Sequence, residues 1–268
     1  MWCSRVTVQS QAQGTLERAG RLLFRWRSFT PIPLLLAAIP LLWRSRGGGG
    51  PGWAAAGVLL CVAGQALRAW VLGQVPDGTS GQNERLIATD LNVSGPYAHT
   101  RNPLYLGNLL ITIGLCVVAH DVVLLAVVAV LFAVQYRAII AAEESFLRDR
   151  FGAQFEEYRR DVPRFWPKLH GRIASSSRLW SWRRALRKEH NPFAAWATLA
   201  IALLASDQVV RARVAGATPS LAGYGLLSYL IALLAVGVAW LCVKGWKHRW
   251  ARGGFTDDLR RRLRETAR

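Results

Sequence analysis

Cysteine is scarce and scattered. Cys3, Cys61, Cys116 and Cys242 stand far apart, three of them inside apolar runs, and no C-x-x-C pair occurs. That argues against a disulfide framework or a zinc site of familiar spacing. Acidic residues are few as well: 16 Asp and Glu stand against 34 Lys and Arg, a formal net charge of +18. A soluble chain this basic would point to nucleic acid. Here the basic residues fall in blocks between long apolar runs, the pattern of a membrane protein, so no nucleic-acid partner is expected. No A-x-A cleavage pattern follows the first apolar run, so no secretory signal is expected either. No internal repeat is evident.

What the chain has in quantity is apolar length, 52% of its 268 residues being hydrophobic. Six runs approach or exceed the length needed to cross a bilayer core of ~30 Å. They lie at about 29–43, 53–75, 104–119, 122–142, 192–210 and 221–243. The expected fold is an all-α, multi-pass transmembrane bundle with cytoplasmic interfacial helices. Its expected divisions are 1–52, an amphipathic segment and first span; 53–169, a core of three spans and a cytoplasmic cap; 170–191, a basic interfacial linker; and 192–268, two further spans and a basic tail. Segment 1–28 sets Leu16, Ala19, Leu22, Leu23 and Trp26 among arginines at helical spacing, as a helix lying on a membrane does. Around 180, Leu179, Trp180, Trp182 and Leu186 interleave with Arg178, Arg183, Arg184 and Arg187, which fits a helix on anionic lipid. With the N-terminus inside, nearly all Lys and Arg fall on the inner side, and Arg44, Arg46, Arg211 and Arg213 fall outside. The bias places both termini, the segment 77–102 and the region after Glu143 in the cytoplasm.

The two middle runs form a hairpin broken only at His120 and Asp121. At ~1.5 Å per residue, the outgoing helix rises ~26 Å and the returning one ~33 Å, so Glu143 returns to about one turn past the level of Asn102 and Pro103. The polar stretch Gly95–Gly107, G-P-Y-A-H-T-R-N-P-L-Y-L-G, and the pair Glu143-Glu144 are therefore expected to meet at one membrane face. Asn102-Pro103 reads as a helix start, with Asn as the cap and Pro at the first position. The acidic pair reads as the C-terminal end of the second helix, where the dipole opposes it.

These stretches carry a resemblance. Gly95–Gly107, the Glu143-Glu144 pair and the sequel F-G-A-Q-F-E-E-Y-R-R-D-V-P-R-F-W-P from Phe151 to Pro167 resemble the isoprenylcysteine carboxyl methyltransferase and phospholipid methyltransferase family. Leu67–Trp70 (L-R-A-W) and Gln82–Arg85 (Q-N-E-R) also fit, and the likeness covers about residues 53–169. The resemblance implies an integral-membrane enzyme using S-adenosyl-L-methionine, without a metal. Carried over, it implies cofactor contacts from Gln82, Tyr97, Arg101, Asn102, Pro103, Leu104, Tyr105, Gly107, Glu143 and Glu144. The expected catalytic set is Arg101 and Glu143 from the same comparison, with His99, the one histidine of the loop, and Arg137, the arginine nearest the family's position, beside them. Carboxylates suit ribose hydroxyls, tyrosine faces suit adenine and a sulfonium, and a helix N-terminus suits the tail carboxylate.

The chain departs from the family pattern twice. Asn102 stands where the family has His, and Ile139 stands where it has Arg, the nearest arginine being Arg137 on another face of the helix. Both departures point away from an isoprenylcysteine carboxylate and toward a lipid or other small hydrophobic acceptor reached from the bilayer. The alternatives are an isoprenylcysteine-type carboxyl methyltransferase, an NADPH-dependent membrane reductase of the sterol-reductase type, and a non-catalytic membrane protein.

Overall fold

The computed structural model describes residues 20, 22–23, 50–75, 90–168, 179–218, 220–223 and 225–266, with 248–266 as backbone only. The expected first span at 29–43, most of segment 1–28, and Gln82 lie outside the described residues. Among those described, every regular element is helical. They are α1 (Pro51–Gln74), a 3-10 turn (Gly95–Ala98), α2 (Pro103–Ala119), α3 (Val122–Phe151), α4 (Ala153–Asp161), α5 (Trp182–Val214) and α6 (Leu227–Thr266). The helices α1, α3 and α5, and Leu227–Lys247 of α6, are long and apolar enough to cross a membrane, while α2 is a shorter apolar helix. The outward sides agree: Val123, Val130 and Val134 on α3 are exposed, as are Ile231, Leu234, Val238 and Leu241 on α6. Rows of uncovered aliphatic side chains are what lipid contact produces, and the protein is an integral-membrane helix bundle. It consists of two compact units, Met1–Ser181 and Trp182–Arg268, so the division falls inside the expected linker 170–191.

In the first unit α1 and α2 pack backbone to backbone. A Cβ on Gly64 would lie 2.6 Å from the Gly107 carbonyl oxygen, and one on Gly57 would lie 2.6 Å from that of Gly114. Small residues two turns apart on each helix permit this approach, which is how membrane helices associate where no hydrophobic drive exists between them. The turn after α2 is the expected one. His120 takes a left-handed φ of 54°, and the Asp121 carboxylate caps α3 by accepting from the Leu124 N–H at 2.9 Å.

The helix α3 does not end at the acidic pair. It continues past Glu143 and Glu144 to Phe151, because Leu147 and Phe151 extend its packed face onto the α4 cluster of Phe155, Tyr158 and Val162. The negative end of its dipole therefore falls on Arg148 and Arg150, where it is favourable, and not on the carboxylates. The stop comes at Gly152, whose φ of 50° with ψ of −122° is a conformation for a residue lacking Cβ. The apolar positions between Phe146 and Val162 are thus divided between two helices.

The second unit is an α5–α6 helical pair. A separate interfacial segment followed by a span from Pro192 was expected; instead α5 runs unbroken from Trp182 with Pro192 inside it. The proline forfeits one backbone hydrogen bond, which membrane helices tolerate. Next to it the Trp240 indole N–H donates to Asn191 Oδ1 at 2.8 Å, and Trp182 stacks on Trp246 with ring centroids 6.1 Å apart. The helix α6 likewise runs on from Leu227 to Thr266, through both the expected last span and the basic tail.

Candidate functional site

The site is assembled at the end of the α2–α3 hairpin where α2 begins. The Tyr105 side chain, in the first turn of α2, donates its hydroxyl hydrogen to Glu143 Oε1 at 2.7 Å. Its ring packs on Ile139 and Ile140, with Leu23, Tyr136 and Phe165 around them. One residue further along α3, Glu144 is buried. Its Oε1 lies 3.0 Å from Arg101 Nη1 and accepts from Arg164 Nε at 3.1 Å, while Arg164 Nη2 bonds its Oε2. The two carboxylates thus differ. Glu144 is enclosed by two guanidinium groups, whereas Glu143 is half-buried and meets a neutral hydroxyl.

A strap covers this cluster. Residues 163–168, bracketed by Pro163 and Pro167, lie along the loop 99–102 and exchange hydrogen bonds with it. The Arg101 N–H donates to the Pro163 carbonyl at 2.9 Å, and the Thr100 hydroxyl to that of Phe165 at 2.9 Å. Asn102 Nδ2 donates to the Arg164 carbonyl at 2.7 Å. The Lys168 N–H donates to the His99 carbonyl at 3.0 Å. Asn102 precedes α2, but its side chain makes no capping bond and is used in the strap. His99 Nδ1 lies 3.0 Å from the Lys168 carbonyl oxygen. A carbonyl only accepts, so Nδ1 carries the proton, and any base role would fall to Nε2.

Electrostatics sharpens the assignments. Burial pushes the Tyr97 hydroxyl well above the ordinary tyrosine range, and the nearby Glu143 charge pushes it the same way. Tyr158 is raised for the same first reason, with the Tyr97 charge next; its hydroxyl donates to the Tyr97 carbonyl at 2.8 Å. Both therefore remain hydrogen-bond donors at neutral pH. Burial lowers the Arg101 pKa, and the Glu144 charge opposes that shift. Arg101 Nε is buried without a hydrogen-bond partner, and its Nη1 meets Glu144 as an ion pair out of hydrogen-bond alignment.

The structure thus brings together Tyr97, Arg101, Asn102, Pro103, Tyr105, Glu143 and Glu144, with His99 at the edge of the strap. Leu104 lies in the first turn of α2, half-buried. Gly107 faces α1, where a Cβ would meet Arg68 Cγ at 2.6 Å. Arg137 is on the exposed side of α3, and no bond named above involves it, because Ile139 occupies the buried side. Gln82 lies outside the described residues. Sequence reasoning did not single out Arg164, Thr100 or Tyr158. The two prolines around Arg164 were the available signal, since they force an extended segment where the helix ends.

Comparison with known proteins agrees with the motif reading. The chain is 40% identical over 90 residues to the cobalt-zinc-cadmium resistance protein CzcN of Cupriavidus metallidurans, covering 34% of this chain and 39% of that protein. It is 37% identical over 82 residues to the nickel-cobalt-cadmium resistance protein NccN of Alcaligenes xylosoxydans xylosoxydans, covering 31% and 38%. The matched part spans about two fifths of the length of these curated relatives. No solved structure matches the chain. Residues 53–154, the segment that holds the loop, the hairpin and the acidic pair, match the family model for phospholipid methyltransferase.

Proposed function

We propose that the protein is a membrane methyltransferase that takes its methyl group from S-adenosylmethionine at the cytoplasmic face and delivers it to a lipid or small hydrophobic acceptor. The observation that carries this reading is the buried Arg101 Nε, a donor without a partner beside a half-buried carboxylate, inside a segment of methyltransferase sequence. An orphaned guanidinium donor fits the carboxylate of the cofactor's amino-acid tail. The Glu143 carboxylate would accept hydrogen bonds from the ribose hydroxyls. The Tyr97 side chain, held protonated, adds a polarisable ring and a donor.

Held by Arg101, Glu143 and Tyr97, S-adenosylmethionine would supply an electrophilic sulfonium methyl for transfer to an acceptor lone pair, with the neutral thioether as leaving group. The chain's own part is to orient and to exclude water. The strap 163–168 closes the cytoplasmic side, and Glu144 holds Arg101 in place through the ion pair. The basic block around Trp180–Lys188 would seat the protein on anionic lipid.

The test is thermal unfolding of the purified full-length protein with S-adenosylhomocysteine or NADPH. A ligand of the native state at 100 times its dissociation constant adds about 2.7 kcal/mol. Stabilisation by micromolar S-adenosylhomocysteine is expected, and none by NADPH. Stabilisation by NADPH alone would move the protein to the reductases, and neither response would remove the reading. The names of the two relatives motivate a second reading, in which the transfer contributes to metal tolerance. Loss of cadmium tolerance in a host carrying Glu143→Gln, with the protein still present, is its expected sign; unchanged tolerance counts against it.

A further inference from the structure

A second group of polar side chains lies inside the bundle, below the site and outside the contacts that form it. Arg68 on α1 bonds Asn108 Oδ1 on α2, and Asn108 Nδ2 donates to the Tyr136 hydroxyl on α3 at 2.9 Å. The three lie at one depth. Arg68 precedes the end of α1 by six residues, Asn108 follows the start of α2 by five, and Tyr136 precedes Glu143 by seven. At ~1.5 Å per residue each is roughly 8–10 Å into the membrane from the acidic pair. All three side chains are half-exposed, as is Phe132, which stacks on Tyr136 at 4.0 Å. Polar and ionisable groups at this depth are costly against hydrocarbon and mark a substrate path or a water-lined recess.

The group is joined to the site. The Tyr136 ring meets the Tyr105 ring edge-on, with centroids 4.8 Å apart, and Tyr105 carries the bond to Glu143. The Arg68 stem crosses Gly107, where any Cβ would strike it. Contacts therefore run without a gap from Glu143 through Tyr105, Tyr136 and Asn108 to Arg68.

We propose that Arg68, Asn108 and Tyr136 form the acceptor's headgroup subsite, which selects an amphiphile bearing an anionic oxygen group, carboxylate or phosphate, on an apolar tail. A guanidinium fork matches two oxygens of either group, and the amide and phenol beside it add hydrogen-bonding partners. The half-exposed aromatic pair Phe132 and Tyr136 gives the first part of the tail an apolar wall. This deepens the proposed function and rests on it for the transfer itself, but the binding preference stands or falls separately.

The experiment uses full-length protein in a non-ionic detergent, saturated with S-adenosylhomocysteine, and titrates four probes of one chain length: oleate, oleyl phosphate, oleyl alcohol and oleylamine. At least one anionic probe is expected to bind about tenfold or more tightly than the alcohol and the amine. A preference for oleate or for oleyl phosphate then identifies which anion is recognised. Arg68→Gln abolishes the preference and Arg68→Lys retains part of it, while S-adenosylhomocysteine affinity stays at the parent value in both. Equal binding of the anions and the alcohol by the parent protein overturns the proposal without any variant. So does a preference that survives Arg68→Gln. Failure of S-adenosylhomocysteine to bind the parent would instead remove the proposed function, and the four-probe comparison would still decide the subsite.

Discussion

The two adjacent glutamates are expected to respond differently to the same substitution. In Glu144→Gln the shape is kept and the charge removed. Arg101, its side chain 11% exposed, then loses the carboxylate at 3.0 Å. Its second guanidinium neighbour, Arg164, is 49% exposed and can turn to water. Removing one partner of a buried ion pair costs about 3–5 kcal/mol, because an uncompensated charge stays behind. For a unit of this size one kcal/mol moves the melting temperature by about 2–4 °C, so a fall of roughly 6–20 °C is expected. Glu143→Gln removes a charge from a half-buried position, and an amide oxygen can still accept the Tyr105 bond. Its melting temperature should move by only a few degrees. Its affinity for S-adenosylhomocysteine should fall about tenfold or more, the value of one charge-assisted hydrogen bond. Melting curves with and without ligand give both numbers from one sample. The reasoning is refuted if Glu144→Gln melts with the parent, or if Glu143→Gln is the destabilised variant and binds normally.

Tyrosine burial sets an alkaline limit. The folded pKa of Tyr97 and of Tyr158 is raised above the ordinary value near 10, so the stability they contribute is fully present below pH 10 and is lost as pH rises beyond it. Melting temperature measured from pH 8 to 11 should decline above pH 10, and the decline should be shallower in Tyr158→Phe. Gly107→Ala should cost about 1–3 kcal/mol by forcing apart α1 and α2, because its Cβ would meet Arg68 Cγ at 2.6 Å and the Gly64 carbonyl oxygen at 2.9 Å. A denaturation curve matching the parent would show that the two helices separate freely. Finally, a cysteine at Ala217, in the turn between α5 and α6, should react with a membrane-impermeant maleimide added outside, and one at Asp149 should not; the reverse pattern would invert the topology.

The hairpin was legible because its cues are local. Apolar length marks where a helix crosses the membrane, and His120-Asp121 supplies both a left-handed residue and a capping carboxylate. Counting the rise per residue brought Glu143 to the right end of the hairpin but about one turn too far, since it meets Tyr105 inside the first turn of α2. Helix ends were less legible, because polarity in such a chain reports depth in the bilayer and not the end of hydrogen bonding. The polarity change at Glu143 therefore read as an end although α3 goes on to Gly152, and Pro192 read as a start although α5 passes through it. The roles of Asn102 and Arg164 were hidden for another reason. Both depend on a segment that follows a turn at Gly152 and a whole further helix, and nothing near either residue states where that segment will lie. Arg68, Asn108 and Tyr136 were hidden because each is a lone polar residue in its own run, and only the packing of three helices makes them neighbours.

The position of the strap in the chain also sets an order of events during synthesis. Arg164 follows Glu144 by twenty residues, so the hairpin and its acidic end are made before the second cation exists. Until then Arg101 is the one partner of Glu144 already synthesised. Membrane insertion of α2 and α3 can thus be complete while the acidic end of the hairpin is still uncovered, since chains fold as they emerge from the ribosome. The cover over the carboxylate closes late, once Lys168 has emerged and reached His99. A chain cut between Asp161 and Arg164 would keep its spans in the bilayer and lose the cover, leaving an inserted hairpin whose buried carboxylate has half its complement of positive charge.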